Sequence, residues 1–444
     1  MPELSFRRQI GYTFGMLGWS IQINIISVML IYFYVPPSNS GLSVLVPQTA
    51  ILGIFTIMSF IAASGRLLDA ITDPLIAYWS DRFEHPRGRR IPFMAVALIP
   101  ATICCIGMFF PPSGQESLAN AWWLTAAQAG FYLFMTIYIV PYNALLPELA
   151  PEGEEQVRLS VWLSFAFVLG VIISSQTPAL GQWLFDEQWL PDKASALQWA
   201  IALQAILAGV YMVVPVLVVD ERQLLQSSPM TLPPRLALRQ ILTNHNFFIF
   251  IAADFAYFVS LTLISGGLLY ILKVLLGLEE SIGGQVMGVL VLMSLLFYPV
   301  TGRLVHQVGK KKLILFSLLW QGALLAGIFF FGRIPLSPKV QIFGFAVLAS
   351  LPAAFLGILP YAVIAEIAGR DARETGQQKE AMYFAIRNFS AKLGQTVGIM
   401  AFAILTRFGK DPGDDLGIRL AGVFGACLCL AAGMVFMKFR EVND

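Results

Sequence analysis

Asp69 and Asp73 stand four residues apart in an otherwise apolar run, so a helix there presents both carboxylates on one face. Two acids at that spacing repel one another unless a cation sits between them, and in a bilayer each must be paired, hydrated or used. Thr72 adds a hydroxyl, and small hard cations take oxygen ligands of this kind. Arg66, three residues earlier, shares the face and supports the site. The pattern fits a cation or proton site and also an interhelical salt-bridge cluster, of which the first is the favoured reading. Later in the chain Asn388, Lys392 and Gln395 fall at i, i+4 and i+7, a polar stripe that belongs on a cavity and not against lipid. Asp254 is the other deep acid. It pairs with Lys392 or Arg387 or touches substrate, with a structural partnership favoured.

These residues need membrane helices to hold them. Of the 444 residues 57% are hydrophobic and 13% charged, against about 45–50% and 25% in soluble proteins, and the length accommodates about a dozen spans with no large soluble domain. Apolar runs separated by Pro, Gly and charge predict spans near 10–35, 52–79, 91–110, 122–146, 159–181, 197–219, 247–273, 284–302, 312–332, 340–364, 381–406 and 416–437. The expected fold is an all-α polytopic membrane protein with twelve helices in two six-helix bundles. Residues 1–220 and 247–444 form the bundles, and a cytoplasmic linker, 221–246, carries Pro229, Pro233 and Pro234.

Of the 29 basic residues, 19 fall on the loops that share a side with the termini and seven on the alternate loops. The remaining three, Arg66, Arg387 and Lys392, lie inside proposed helices. That asymmetry predicts cytoplasmic termini. The net charge of +2, spread over many loops, argues against nucleic-acid binding. Cys104, Cys105, Cys427 and Cys429 lie in apolar helices without zinc-ligand spacing, and His85, His245 and His306 lie in loops or at helix ends. No cofactor is expected, and an integral-membrane enzyme lacks a visible catalytic constellation. The halves echo one another: Pro74 precedes Asp81 and Gly88-Arg89-Arg90, as Pro299 precedes His306 and Gly309-Lys310-Lys311. Likewise Pro141-Tyr142 precedes Glu148, and Pro360-Tyr361 precedes Glu366. Such duplication is typical of secondary transporters.

The run Gly65-Arg66-Leu67-Leu68-Asp69-Ala70-Ile71-Thr72-Asp73-Pro74, continuing through Trp79-Ser80-Asp81-Arg82 to Gly88-Arg89-Arg90, resembles the second-helix signature of the glycoside-pentoside-hexuronide:cation symporters of the major facilitator superfamily. Gly11-Tyr12-Thr13-Phe14-Gly15, Val140-Pro141-Tyr142-Asn143-Ala144-Leu145 and Lys392-Leu393-Gly394 extend the resemblance along nearly the whole chain. It implies cation-coupled symport by alternating access, with Asp69 and Asp73 as ligands of Na⁺ or H⁺ and Thr72 and Thr136 supplying oxygens. It also places Lys392 near the sugar and the ion. The departures from the family's melibiose carrier concern sugar binding. Trp19-Ser20 and Ile139 replace acids, Asn143 replaces a tryptophan, and an arginine expected after Arg158 has no counterpart.

A sugar or glycoside is the expected substrate and a lysophospholipid the alternative, since related lipid carriers keep the acidic pair. Lys392, Asn388, Trp19 and Asn143 are the expected substrate contacts; the indole offers a flat apolar face to a sugar ring or an acyl chain. Asp81, Arg82, Arg89, Arg90, Glu148, Arg158, Glu366 and Arg373, at cytoplasmic helix ends of the two halves, are the expected gate. The carrier is expected to work as a monomer in a bacterial inner membrane.

Overall fold

The computed structural model describes residues 6–51, 55–83, 85–149, 153–221, 241–375 and 380–440. They form α1 (Phe6–Tyr34), α2 (Ile57–Arg82), α3 (Ile91–Gly107), α4 (Leu118–Leu149), α5 (Gly153–Ser175), α6 (Thr177–Asp186) and α7 (Lys193–Val218). After the linker come α8 (His245–Tyr270), α9 (Ile282–Val308), α10 (Lys310–Gly327), α11 (Pro338–Thr375), α12 (Glu380–Leu405) and α13 (Leu416–Phe436). Among the described residues nine helical stretches are long and apolar enough to cross a bilayer; α5 and α6 make one of them, and α8 runs on through a π turn to Leu275 in another. The shorter apolar α3, the first part of α9, and α2 with Arg66, Asp69 and Asp73 in its middle complete twelve crossings.

The span expected at 52–79 begins later. Ala50–Ile51 (β1) pairs antiparallel with Phe55–Thr56 (β2), and α2 starts at Ile57 because Thr56 and Ser59 form a reciprocal capping box that satisfies the first amides. Three other crossings run five residues or more past their expected ends, α6 to Asp186, α9 to Val308 and α11 to Thr375. The last turns of α11 carry Glu366, Arg370 and Arg373; charge there ends the apolar run but not the helix.

The chain divides into two compact units, Met1–Pro229 with Glu279–Gln285 and Met230–Leu278 with Val286–Asp444. The linker residues 222–240, with the prolines noted above, lie outside the described residues. In the first unit α1 packs on α5 and α7, and α3 on α4 and α7. In the second, α8 packs on α12 and α13, and α10 on α11 and α13, so these four pairings recur in the same chain order. The sequence echo is also visible in the backbone. Gly88 and Gly309 both take positive φ, +105° and +88°, where each chain turns into the next helix.

Candidate functional site

Helices α2 and α4 pack together in a fixed register. The Gln128 amide nitrogen donates to the Ile61 carbonyl at 2.6 Å, and the Thr136 hydroxyl donates to Asp69 Oδ1 at 2.5 Å, both pairs 67 residues apart in sequence. Between them Gly65 faces Tyr132, where a Cβ would lie 2.3 Å from the ring. Glycine is what lets the helices approach closely enough for Asp69 to meet α4.

Asp69, 6% exposed, is thus held in the first unit beside two hydroxyls, since Thr72 Oγ1 lies 3.3 Å from Thr136 Oγ1 and 3.0 Å from the Leu68 carbonyl. Asp73 follows one turn later, half buried. Arg66 donates to Ser27 Oγ at 3.3 Å and lies 5.7 Å from the Tyr132 ring centroid. The expected residues Arg66, Asp69, Thr72 and Thr136 are therefore gathered at one place, joined by Ser27, Gln128 and Tyr132. The i, i+4, i+8 spacing of Gln128, Tyr132 and Thr136 is the sequence signal for a single α4 face. Asp69, Thr72 and Thr136 present oxygens to one another here, a set that suits a hard cation or a proton.

In the second unit Arg387 of α12 makes a forked contact with Asp254 of α8, Nε to Oδ2 at 3.1 Å and Nη2 to Oδ1 at 3.2 Å, both side chains buried. The guanidinium also lies 4.3 Å from the Tyr361 ring centroid and 5.8 Å from that of Phe258. Of the alternatives open for Asp254, the structure selects Arg387. Lys392 is half buried, Asn388 and Asn143 are exposed, and Trp19 is half buried with its ring 6.0 Å from Phe167.

The side chains of Asp81 and Glu148 lie outside the described residues. Arg82 stacks on Tyr78, 3.6 Å from its ring centroid, and Arg158 and Arg373 are exposed while Arg89 is half buried. Arg90 is buried and donates to the Ala144 carbonyl at 2.6 Å. Lys310 pairs with Glu366 at 2.5 Å. The described partners of Arg90 and Glu366 are thus within their own units. Sequence reasoning missed Glu221, whose carboxylate accepts the backbone amides of Arg90 at 2.9 Å and Ile91 at 3.2 Å and so caps α3.

It also missed Glu280. Though it lies between α8 and α9, Glu280 belongs to the first unit, where Tyr32 donates to it at 2.5 Å and Lys193 pairs with it at 3.1 Å. Burial raises the Glu280 pKa, but the Tyr32 hydroxyl and the Lys193 charge outweigh burial and hold it below the usual carboxylate range.

Twelve crossings in two units of matching packing, with an oxygen-lined acid inside one of them, define a secondary transporter and not an enzyme. The family described as MFS/sugar transport protein matches residues 11–439, and the chain belongs to it. An uncharacterised symporter of Synechocystis is 23% identical over 94% of this chain and 89% of its own length. The isoprimeverose transporter of Lactiplantibacillus pentosus is 21% identical over 88% of this chain and 78% of its own length. A shorter stretch, 26% of this chain and 23% of the relative, is 30% identical to the sodium-dependent lysophosphatidylcholine symporter 1 of Mus musculus. The inward-open xylose transporter XylE from E. coli shares the fold, with TM-score 0.70 at 14% identity, covering 98% of this chain and 96% of its own.

Proposed function

We propose that this protein couples the downhill entry of Na⁺ or H⁺ to transport of a sugar or glycoside. Asp69 and Asp73 hold the cation, Thr72 and Thr136 supply oxygens, and Arg66 tempers the charge. The supporting observation is the buried Asp69 carboxylate against the Thr136 hydroxyl at 2.5 Å. Asp69 and Asp73 bring two carboxylates to the site beside Arg66, and a cation held between them offsets the cost of burying the pair in low dielectric. Cation occupancy therefore decides whether the carrier reorients. Substrate tightens cation binding by the same factor that the cation tightens substrate binding.

Lys392, Asn388, Trp19 and Asn143 are the proposed substrate contacts. The charge at the helix ends, Asp81, Arg82, Arg89, Arg90, Glu148, Arg158, Glu366 and Arg373, is proposed to bias the cycle. The excess of basic residues on the loops that share a side with the termini supports cytoplasmic termini, and the protein is proposed to act as a monomer in a bacterial inner membrane. The second reading, a lysophospholipid substrate, draws on the absence of the sugar-binding acids and on the similarity to the lysophosphatidylcholine symporter. Thermal stabilisation of purified protein by melibiose, isoprimeverose and lysophosphatidylcholine, each with and without NaCl, tests both, because a ligand that prefers the folded state raises its apparent stability. A shift with a glycoside that grows with the cation supports the first reading. A shift with the lysolipid alone supports the second, and no shift with any of them contradicts both.

A further inference from the structure

The first unit contains a level at which three helices each carry a proline and a tyrosine hydroxyl meets the backbone of a fourth. In α1 the Tyr142 hydroxyl donates to the Tyr12 carbonyl at 2.7 Å and accepts the Met16 amide at 3.2 Å. Tyr12 carbonyl and Met16 amide are the i and i+4 partners of an ordinary helical bond, so a side chain from α4 sits on that rung. Tyr12 returns the contact by donating to the Tyr142 carbonyl at 2.6 Å, with the two rings stacked at 4.3 Å.

Immediately before Tyr142, Pro141 removes a donor from α4. At the register that pairs Asp69 with Thr136, Pro74 of α2 stands opposite Pro141. Pro215 interrupts α7 at the same height, because a Cβ on Gly15 would lie 2.5 Å from the Tyr142 ring, 2.7 Å from Pro215 and 2.7 Å from the Tyr138 hydroxyl. Tyr138 in turn donates to the Met212 carbonyl of α7 at 3.0 Å. The Asp69 site lies on one side of this level, and Arg90 with its Ala144 and Glu221 partners lies on the other.

We propose that this level is a hinge within the first unit and that Tyr142 is its pin. Each proline leaves one carbonyl of its helix without a helical donor, and at this level the tyrosine hydroxyls tie α1, α4 and α7 together through other backbone groups without fixing the helices straight. Bending there moves the helix ends near Arg90 independently of the cation site. Tyr142 is a positioning residue, acting through α1. The inference does not depend on which cation or substrate the carrier takes.

The test needs no ligand. Spin labels at Trp122→Cys on α4 and Trp79→Cys on α2, with Cys104, Cys105, Cys427 and Cys429 replaced by alanine, straddle the level, and electron–electron resonance in nanodiscs reads their separation. Two distance populations are expected. Pro215→Ala closes the α7 ladder and should raise the melting temperature while depleting the minor population about fivefold or more. Tyr142→Phe, which removes the hydroxyl that bonds to the Tyr12 carbonyl and Met16 amide of α1, should deplete it similarly, whereas Tyr12→Phe keeps the pin and should leave both populations. A single population in the parent, or Pro215→Ala and Tyr142→Phe distributions that superimpose on it, overturns the hinge. Equal depletion by Tyr12→Phe and Tyr142→Phe overturns the pin. If Tyr142→Phe fails to fold, Pro215→Ala decides by itself.

Discussion

In the second unit Asp254 meets Arg387 through two hydrogen bonds, one acid against one base, both buried. In the first unit Asp69 meets a threonine hydroxyl, Asp73 follows on the same helix, and Arg66 lies one turn before them. The first arrangement is complete within itself and resembles the buried pairs whose worth lies in mutual neutralisation. The second is lined with the oxygens of Asp69, Thr72 and Thr136, and it is where we propose that the cation binds. On the proposed function, intramembrane charge serves two purposes in this protein, a neutralised pair in one unit and a cation site in the other.

The sharpest way to break that contrast is Asp254→Asn. Leaving Arg387 buried without its acid should destabilise the protein by about 3–5 kcal/mol in thermal or denaturant unfolding, and Asp254→Leu with Arg387→Met should recover most of the loss. A recovery that fails would show that Asp254 does more than neutralise. Next in size, Thr136→Val removes the donor to Asp69 while keeping shape. A hydrogen bond to a charged group is worth about 1.5–3 kcal/mol, so cation affinity measured by equilibrium binding should change by about tenfold or more with little change in melting temperature.

A smaller effect is expected at Glu280. Its folded pKa is depressed, so its contribution is complete above the ordinary glutamate range and disappears as pH falls through the folded value. Below a pH of about 4.3 the melting temperature should decline less steeply in Glu280→Gln than in the parent. The smallest change concerns Asp192, which caps α7 through the Ser195 amide at 2.9 Å and is itself held low in pKa by that bond. Asp192→Ala should cost about 1 kcal/mol near neutral pH, with the difference from the parent shrinking on acidification.

Much of this was legible in the sequence. The twelve runs, the paired acids and the echo of Pro-Tyr and Gly-basic motifs follow from apolar length and spacing alone. The oxygen environment of Asp69 was not, because it depends on the offset between α2 and α4, which Gly65 permits but does not specify. Lys193 was counted only as a loop charge, and its partner Glu280 lies 87 residues away. Gly11-Tyr12 and Pro141-Tyr142 stood out as family motifs, yet their reciprocal hydrogen bonds appear only when α1 and α4 are packed. Long-range pairing of this kind leaves no local periodicity to read.

The central claim is that the α2 acids bind the coupling cation. It is met most directly by titrating the melting temperature of the purified protein with NaCl against choline chloride, at several pH values, for the parent, Asp69→Asn and Asp73→Asn. The account predicts a cation-dependent or proton-dependent rise in the parent that both substitutions abolish while the proteins remain folded. Identical dependence on Na⁺ and pH in all three would contradict it and reduce the acid pair to a structural element.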